Sequence, residues 1–169
     1  MKIDVRRQIL FITTLLLCSI VCAKGIAPQN LSKTAFYNAM SSNDMATIDD
    51  EISILQNSSS GEKEGYEGAL LMKKAGLTKG PKKKLDLFKA GRIKLESAIM
   101  ADKENTEYRF LRLAIEERAP KIVKYYADIE ADKVMVEKNF KNLSQTTQKA
   151  ILDYCKTSKV LHSEDFSSR

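Results

Sequence analysis

Apolar residues recur at helical spacing along most of this chain, and no segment shows the strict alternation of a half-buried strand. The clearest stretch runs from Lys83 to Glu117. Within it Leu85, Phe88, Leu95, Ala98 and Ile99 fall three, four or seven residues apart. At about 3.6 residues per turn they share one helical face, with Lys89, Lys94 and Glu96 on others. The polar run Asp102-Lys103-Glu104-Asn105 ends the pattern. Asn105 or Thr106 can cap a second helix, because a side-chain oxygen accepts the unpaired first-turn N–H groups. That helix carries a stripe of Tyr108, Leu111 and Ile115, widened by Phe110, Leu113 and Ala114, and Pro120 bars its simple continuation. So short a connection predicts antiparallel neighbours, with Phe88, Leu95 and Ile99 facing Tyr108, Leu111 and Ile115. Gly91 falls on the buried side of the first helix, where it costs about 1 kcal/mol relative to alanine, so a second backbone is expected to pass close to it.

The same spacing continues on both sides. Phe36, Met40, Met45, Ile48, Ile52 and Leu55 predict two short helices, with Ser41-Ser42-Asn43 as the break that caps the second. Residues 57–61, Asn-Ser-Ser-Ser-Gly, form a loop. Tyr66 to Ala75 reads as a helix, closed by Gly76, Gly80 and Pro81. After Pro120, the residues Ile122, Val123, Tyr125 and Tyr126 form a short helix or turn. Ile129 to Phe140 is a helix with Ile129, Val136 and Phe140 inside, and Ser144 caps a last one with Ile151, Leu152 and Cys155 on one face. The predicted fold is all-α: six to eight helices in stacked antiparallel pairs, as a solenoid or a bundle.

The first 23 residues depart from this pattern. Lys2, Arg6 and Arg7 precede an apolar run from Ile9 to Ala23, and Val21 and Ala23 occupy the −3 and −1 positions of a cut before Lys24. This is the layout of a secretory signal peptide, and an uncleaved anchor or a lipid-modified cysteine are the other possibilities. The expected organisation is therefore signal peptide 1–23, linker 24–33, helical-repeat domain 34–161 and polar tail 162–169, in an exported protein that is periplasmic or extracellular. The whole chain carries a net charge of +6. Removing the leader's three basic residues and one acid leaves 25 basic and 21 acidic residues, net +4, too mild to imply a nucleic-acid partner. Of three cysteines only Cys155 would remain, so no internal disulfide is expected; it reads as a small apolar residue on an inner face, against a redox thiol.

The chemistry on offer is thin. His162 is the only histidine and lies in the predicted tail; no zinc-ligand spacing, GxxxxGK[ST] or GxGxxG occurs. No catalytic residue, metal or cofactor is assigned. A basic run, Lys79, Lys82, Lys83, Lys84, Lys89, Arg92 and Lys94, is either a solvated lysine-rich face or a weak patch for an anionic surface. Arg92, Arg109 and Arg112 are the candidate binding residues. Beside apolar stripes, their guanidinium groups need acceptors or water. Internal pairs, Arg92 with Glu96 and Arg112 with Glu116, stand against a groove in which the three arginines take a partner's carboxylate.

Two resemblances bear on the fold. AIMADKENTEY resembles the junction between two tetratricopeptide repeats, with Gly91, Leu95 and Ala98 at the small–large–small positions of that family's second helix. The longer string FKAGRIKLESAI…NTEYRFLRLAIEERAPK resembles an uncharacterised family of exported Bacteroidota proteins. The first implies stacked helix pairs and a protein or peptide ligand; the second implies export and brings no activity. The expected function is that of a protein- or peptide-binding module. An enzyme subunit using carboxylate, tyrosine or lysine chemistry and a surface-associated structural protein with a basic face are the alternatives.

Overall fold

The computed structural model describes residues 31–167, so the expected signal peptide and nearly all of the linker lie outside the described residues. What is described is all-helical, with seven α-helices and no strand. Helix α1 (Lys33–Ser41) starts at Ser32, whose hydroxyl accepts from the Ala35 N–H. Helix α2 (Met45–Gln56) follows the expected break, but its cap is Asp44, which accepts from the amides of Ala46 and Thr47, rather than a residue of Ser41-Ser42-Asn43. Helix α3 (Lys63–Leu77) ends where the Thr78 hydroxyl returns to the Lys74 carbonyl. The chain turns at Gly80 with φ +86°, a conformation L side chains rarely adopt, and Pro81 opens helix α4 (Pro81–Ala101). Asn105 caps helix α5 (Thr106–Glu116) by accepting from the Tyr108 amide. A 3₁₀ turn (Lys121–Val123) leads to α6 (Ile129–Asn139), and Ser144 caps α7 (Gln145–Cys155). Among the described residues no helix is long and apolar enough to cross a membrane.

The most extensive pairing joins α3 to α4. It depends on two glycines: a Cβ on Gly91 would lie 2.5 Å from the Gly68 carbonyl oxygen, and one on Gly68 would lie 2.6 Å from the Leu95 nitrogen. The backbone approach expected at Gly91 is therefore present, and the partner is α3. Lys94 braces the same seam through Glu64 at 2.6 Å and Glu67 at 3.0 Å, and Gln56 of α2 donates to Glu67.

Helix α5 touches α4 only sparingly; it packs most on α6 and also meets α3 and α7. Phe88, Leu95, Ile99, Tyr108 and Leu111 are buried as expected and Ile115 half-buried, yet α3 completes the seam, with the Tyr108 ring against Gly65 and edge-on to Tyr66. Enclosure on several sides buries eight of the eleven α5 residues, including Glu107, Arg112 and Glu116. Leu85 and Leu152, expected inside, are 41% and 39% exposed. Residues 162–169 were expected as a loose polar tail. Instead Leu161 is fully buried, and a 3₁₀ turn (Ser163–Phe166) seats Phe166 against Phe140 with ring centroids 4.4 Å apart. One aromatic with a place to go outweighs the polar residues around it.

Candidate functional site

A buried charge needs a partner within reach, and α5 brings three into the interior. Arg112 finds its main partner on α6. Its Nε donates to Asp132 Oδ2 at 2.7 Å and its Nη2 to Oδ1 at 2.8 Å, a bidentate pair in which Asp132 is fully buried and Arg112 nearly so. The remaining Nη1 donates to Glu96 Oε2 of α4 at 3.1 Å, and Asp128 lies 3.3 Å from Nη2. Glu96 uses its other oxygen to accept from the Tyr125 hydroxyl at 2.6 Å, and burial followed by that carboxylate pushes the phenol far above its ordinary range. Arg92 lies over the Tyr125 ring, 4.7 Å from its centroid. Arg109 donates to Asp132 Oδ1 at 3.3 Å and to the Lys103 carbonyl.

The three candidate arginines thus meet in one chain of contacts, running Arg92–Tyr125–Glu96–Arg112–Asp132–Arg109. Internal pairing is the arrangement, with different acceptors from those expected. Glu96 goes to Arg112, and Glu116 instead accepts from the Asp128 amide at 3.1 Å. Arg112, 4% exposed and engaged by three carboxylates of its own chain, has no fork to offer a ligand, whereas Arg92 is exposed and Arg109 half-buried.

Among the described residues the buried Glu116 Oε1 has no hydrogen-bond partner, and burial raises its carboxyl to about 7 from 4.5. Between those values the folded chain holds a proton that the unfolded chain has released, so stability falls as pH rises through the window. Glu116→Gln keeps an acceptor for the Asp128 amide and removes the charge. It should melt like the parent near pH 4.5 and gain about 1–3 kcal/mol above pH 7, read from denaturant curves across that range. A variant whose advantage does not grow with pH would show that Glu116 is already ionised in the folded chain.

The second polar centre is open to solvent. Glu107, on the first turn of α5, accepts from the Tyr37 hydroxyl at 2.7 Å and from Thr147 Oγ1 at 3.1 Å, and pairs with Lys33, so one carboxylate ties α1 and α7 to α5. Burial first, then the Glu107 charge, pushes the Tyr37 phenol far above its ordinary range, which keeps it a hydrogen-bond donor. Lys33 and Glu107 line an open cleft of about 440 Å³. Glu62 and Glu104 flank it, and Asn105, Asn139 and Asn142 bring side-chain amides. Among the described residues neither the Glu62 nor the Glu104 carboxylate has a partner, whereas Asn139 donates to Thr106 Oγ1 at 3.0 Å. Tertiary structure assembles this cleft from the α1 start, the α3 start, the α5 cap and the α6–α7 connection.

Elsewhere, His162 sits on the exposed surface, and burial raises the half-buried, free Cys155 thiol to about 11, away from thiolate reactivity. Among the described residues no three His, Cys, Asp or Glu side chains group to hold a metal ion. No family model matches the chain, and neither does any curated protein or solved structure.

Proposed function

We propose that the chain is an exported helical-repeat protein that binds a protein or peptide, and that the cleft between the α5 cap and the α6–α7 connection receives an extended segment bearing a lysine or arginine. The observation that carries this reading is the wall chemistry of the cleft. Among the described residues the carboxylates of Glu62 and Glu104 have no partner, and beside them stand the amides of Asn105 and Asn139, each already holding a contact within the fold, and the unengaged amide of Asn142. An amide both donates and accepts, which suits a peptide backbone, and the carboxylates favour a cationic side chain. The volume of about 440 Å³ is enough for a side chain and its adjoining main chain. The backbone approach of Gly68 and Gly91 supports the resemblance to stacked tetratricopeptide pairs. Export follows from the leader-like residues 1–23 and predicts a secreted chain beginning at Lys24, which N-terminal sequencing would read.

Fluorescence anisotropy with two labelled peptides tests the binding role: an alanine-rich peptide with a central lysine, and its glutamate counterpart. The lysine peptide should bind preferentially, and Glu62→Gln with Glu104→Gln should weaken it by about tenfold or more. Equal binding of the two peptides, or none of either, would remove the cleft as the binding site.

A further inference from the structure

We infer that the first half of α4 and the loop following α5 form a docking surface for an anionic phospholipid bilayer. This surface is separate from the peptide cleft. Lys79, Lys82, Lys83, Lys84 and Lys89 are all exposed, and among the described residues none is paired with a carboxylate. From 79 to 94 the chain holds seven basic residues against one acid, Asp86. Charge alone would suit any polyanion. The apolar side chains set among the lysines narrow the choice.

Leu85, 41% exposed, lies at i+3 from Lys82 and i−4 from Lys89, on the same side of α4. The Tyr125 ring fixes the neighbouring loop to this side: it meets Phe88 edge-on at 5.7 Å, carries the Arg92 guanidinium at 4.7 Å, and its hydroxyl bonds Glu96. Around that anchor the loop leaves Ile122 89% exposed and Tyr126 57% exposed, with exposed Lys121 and Lys124 beside them. Lys124 takes a left-handed conformation at φ 47°. Glu96 and Asp128, the acids that adjoin the loop through Tyr125 and Arg112, are paired with Arg112, and among the described residues no ion pair joins Asp86 to the lysines around it.

A nearly bare isoleucine between lysines gains nothing from a phosphate backbone or a heparin chain. At a membrane interface it gains an apolar layer beneath the headgroups, while the lysines keep their charge at headgroup level and tyrosine suits the boundary. Anionic lipid supplies the attraction and the apolar tips supply the insertion, the two signals that peripheral attachment needs.

Co-sedimentation of the full chain as expressed, with phosphatidylcholine vesicles and with vesicles containing about one-third phosphatidylserine, tests this. Binding should require phosphatidylserine and weaken as salt is raised. Lys82/Lys83/Lys84→Glu should abolish it. Ile122→Ser with Tyr126→Ser should weaken it by about tenfold at every salt concentration, leaving the salt dependence unchanged. All these side chains are exposed, so the variants should melt with the parent. Equal binding to both vesicle types would overturn the proposal. So would unaltered binding by the Ile122/Tyr126 variant; with equal retention of parent and variant on heparin, that result would identify a polyanion patch instead.

Discussion

Replacing Arg112 with alanine is expected to lower the unfolding free energy by about 3–5 kcal/mol, a large share of what a domain of this size possesses. The cause is what the substitution leaves behind. Among the described residues Asp132, fully buried on α6, would keep only Arg109 at 3.3 Å, a single longer contact in place of a bidentate one. Glu96 would lose the cation that offsets it beside Tyr125, and Asp128 would lose its partner as well. Urea denaturation followed by far-UV circular dichroism measures the loss. Arg112→Leu combined with Asp132→Leu should recover most of it, because removing both buried charges also removes their desolvation cost. Lys133→Ala, whose partner Glu137 lies 3.7 Å away on the same helix, should cost less than about 0.5 kcal/mol. A loss below about 1 kcal/mol for Arg112→Ala would mean that Asp132 is protonated or reaches water, and the electrostatic account of the interior would fail.

How much of this was legible in the chain depends on the range of the interaction. Helix spans and caps are local, so the stripe from Phe88 to Ile99, the Asn105 and Ser144 caps and the close approach at Gly91 follow from neighbouring residues. Which backbone approaches Gly91 is a long-range fact. The short α4–α5 connection suggested α5 as the chief partner of α4, whereas the longer seam belongs to α3, whose own glycine at 68 permits it. The acceptors of the arginines show the same limit. Arg112 and Glu116 stand four apart on one helix, yet packing directs Arg112 across to α6.

A usable signal was present all the same. Asp132 falls three after Ile129 and four before Val136, so an acid occupies the inward face of α6 just as Arg112 lies beside the stripe of α5. Glu107 likewise stands four before Leu111. Opposite charges at stripe positions of neighbouring helices are candidates for a buried pair, and reading each helix separately conceals them. The cleft had no such signal, since its walls come from segments that adjoin only after the helices pack.

Gly91→Ala and Gly68→Ala should each destabilise the chain, by about 1–3 kcal/mol and more if the helices cannot separate, although alanine is the better helix former by about 1 kcal/mol. The new methyl at 91 would lie 2.5 Å from the Gly68 carbonyl oxygen and 2.9 Å from the Met72 nitrogen; that at 68 would meet the Leu95 nitrogen at 2.6 Å. These are backbone atoms of α3 and α4, and they cannot rotate away as a side chain can. Relief requires the axes to move apart, which opens the contacts at Met72 and Leu95 along the seam. Gly76→Ala supplies the control. It lies in the same α3, with nothing within 4 Å of its added Cβ, so only the propensity gain operates and the chain should become more stable by up to about 1 kcal/mol. Opposite signs at 68 and 76 in thermal melts would separate interhelical distance from helix propensity. A gain at all three positions would mean that the α3 and α4 backbones do not approach this closely, and the proposed likeness to stacked helix pairs would lose its physical basis.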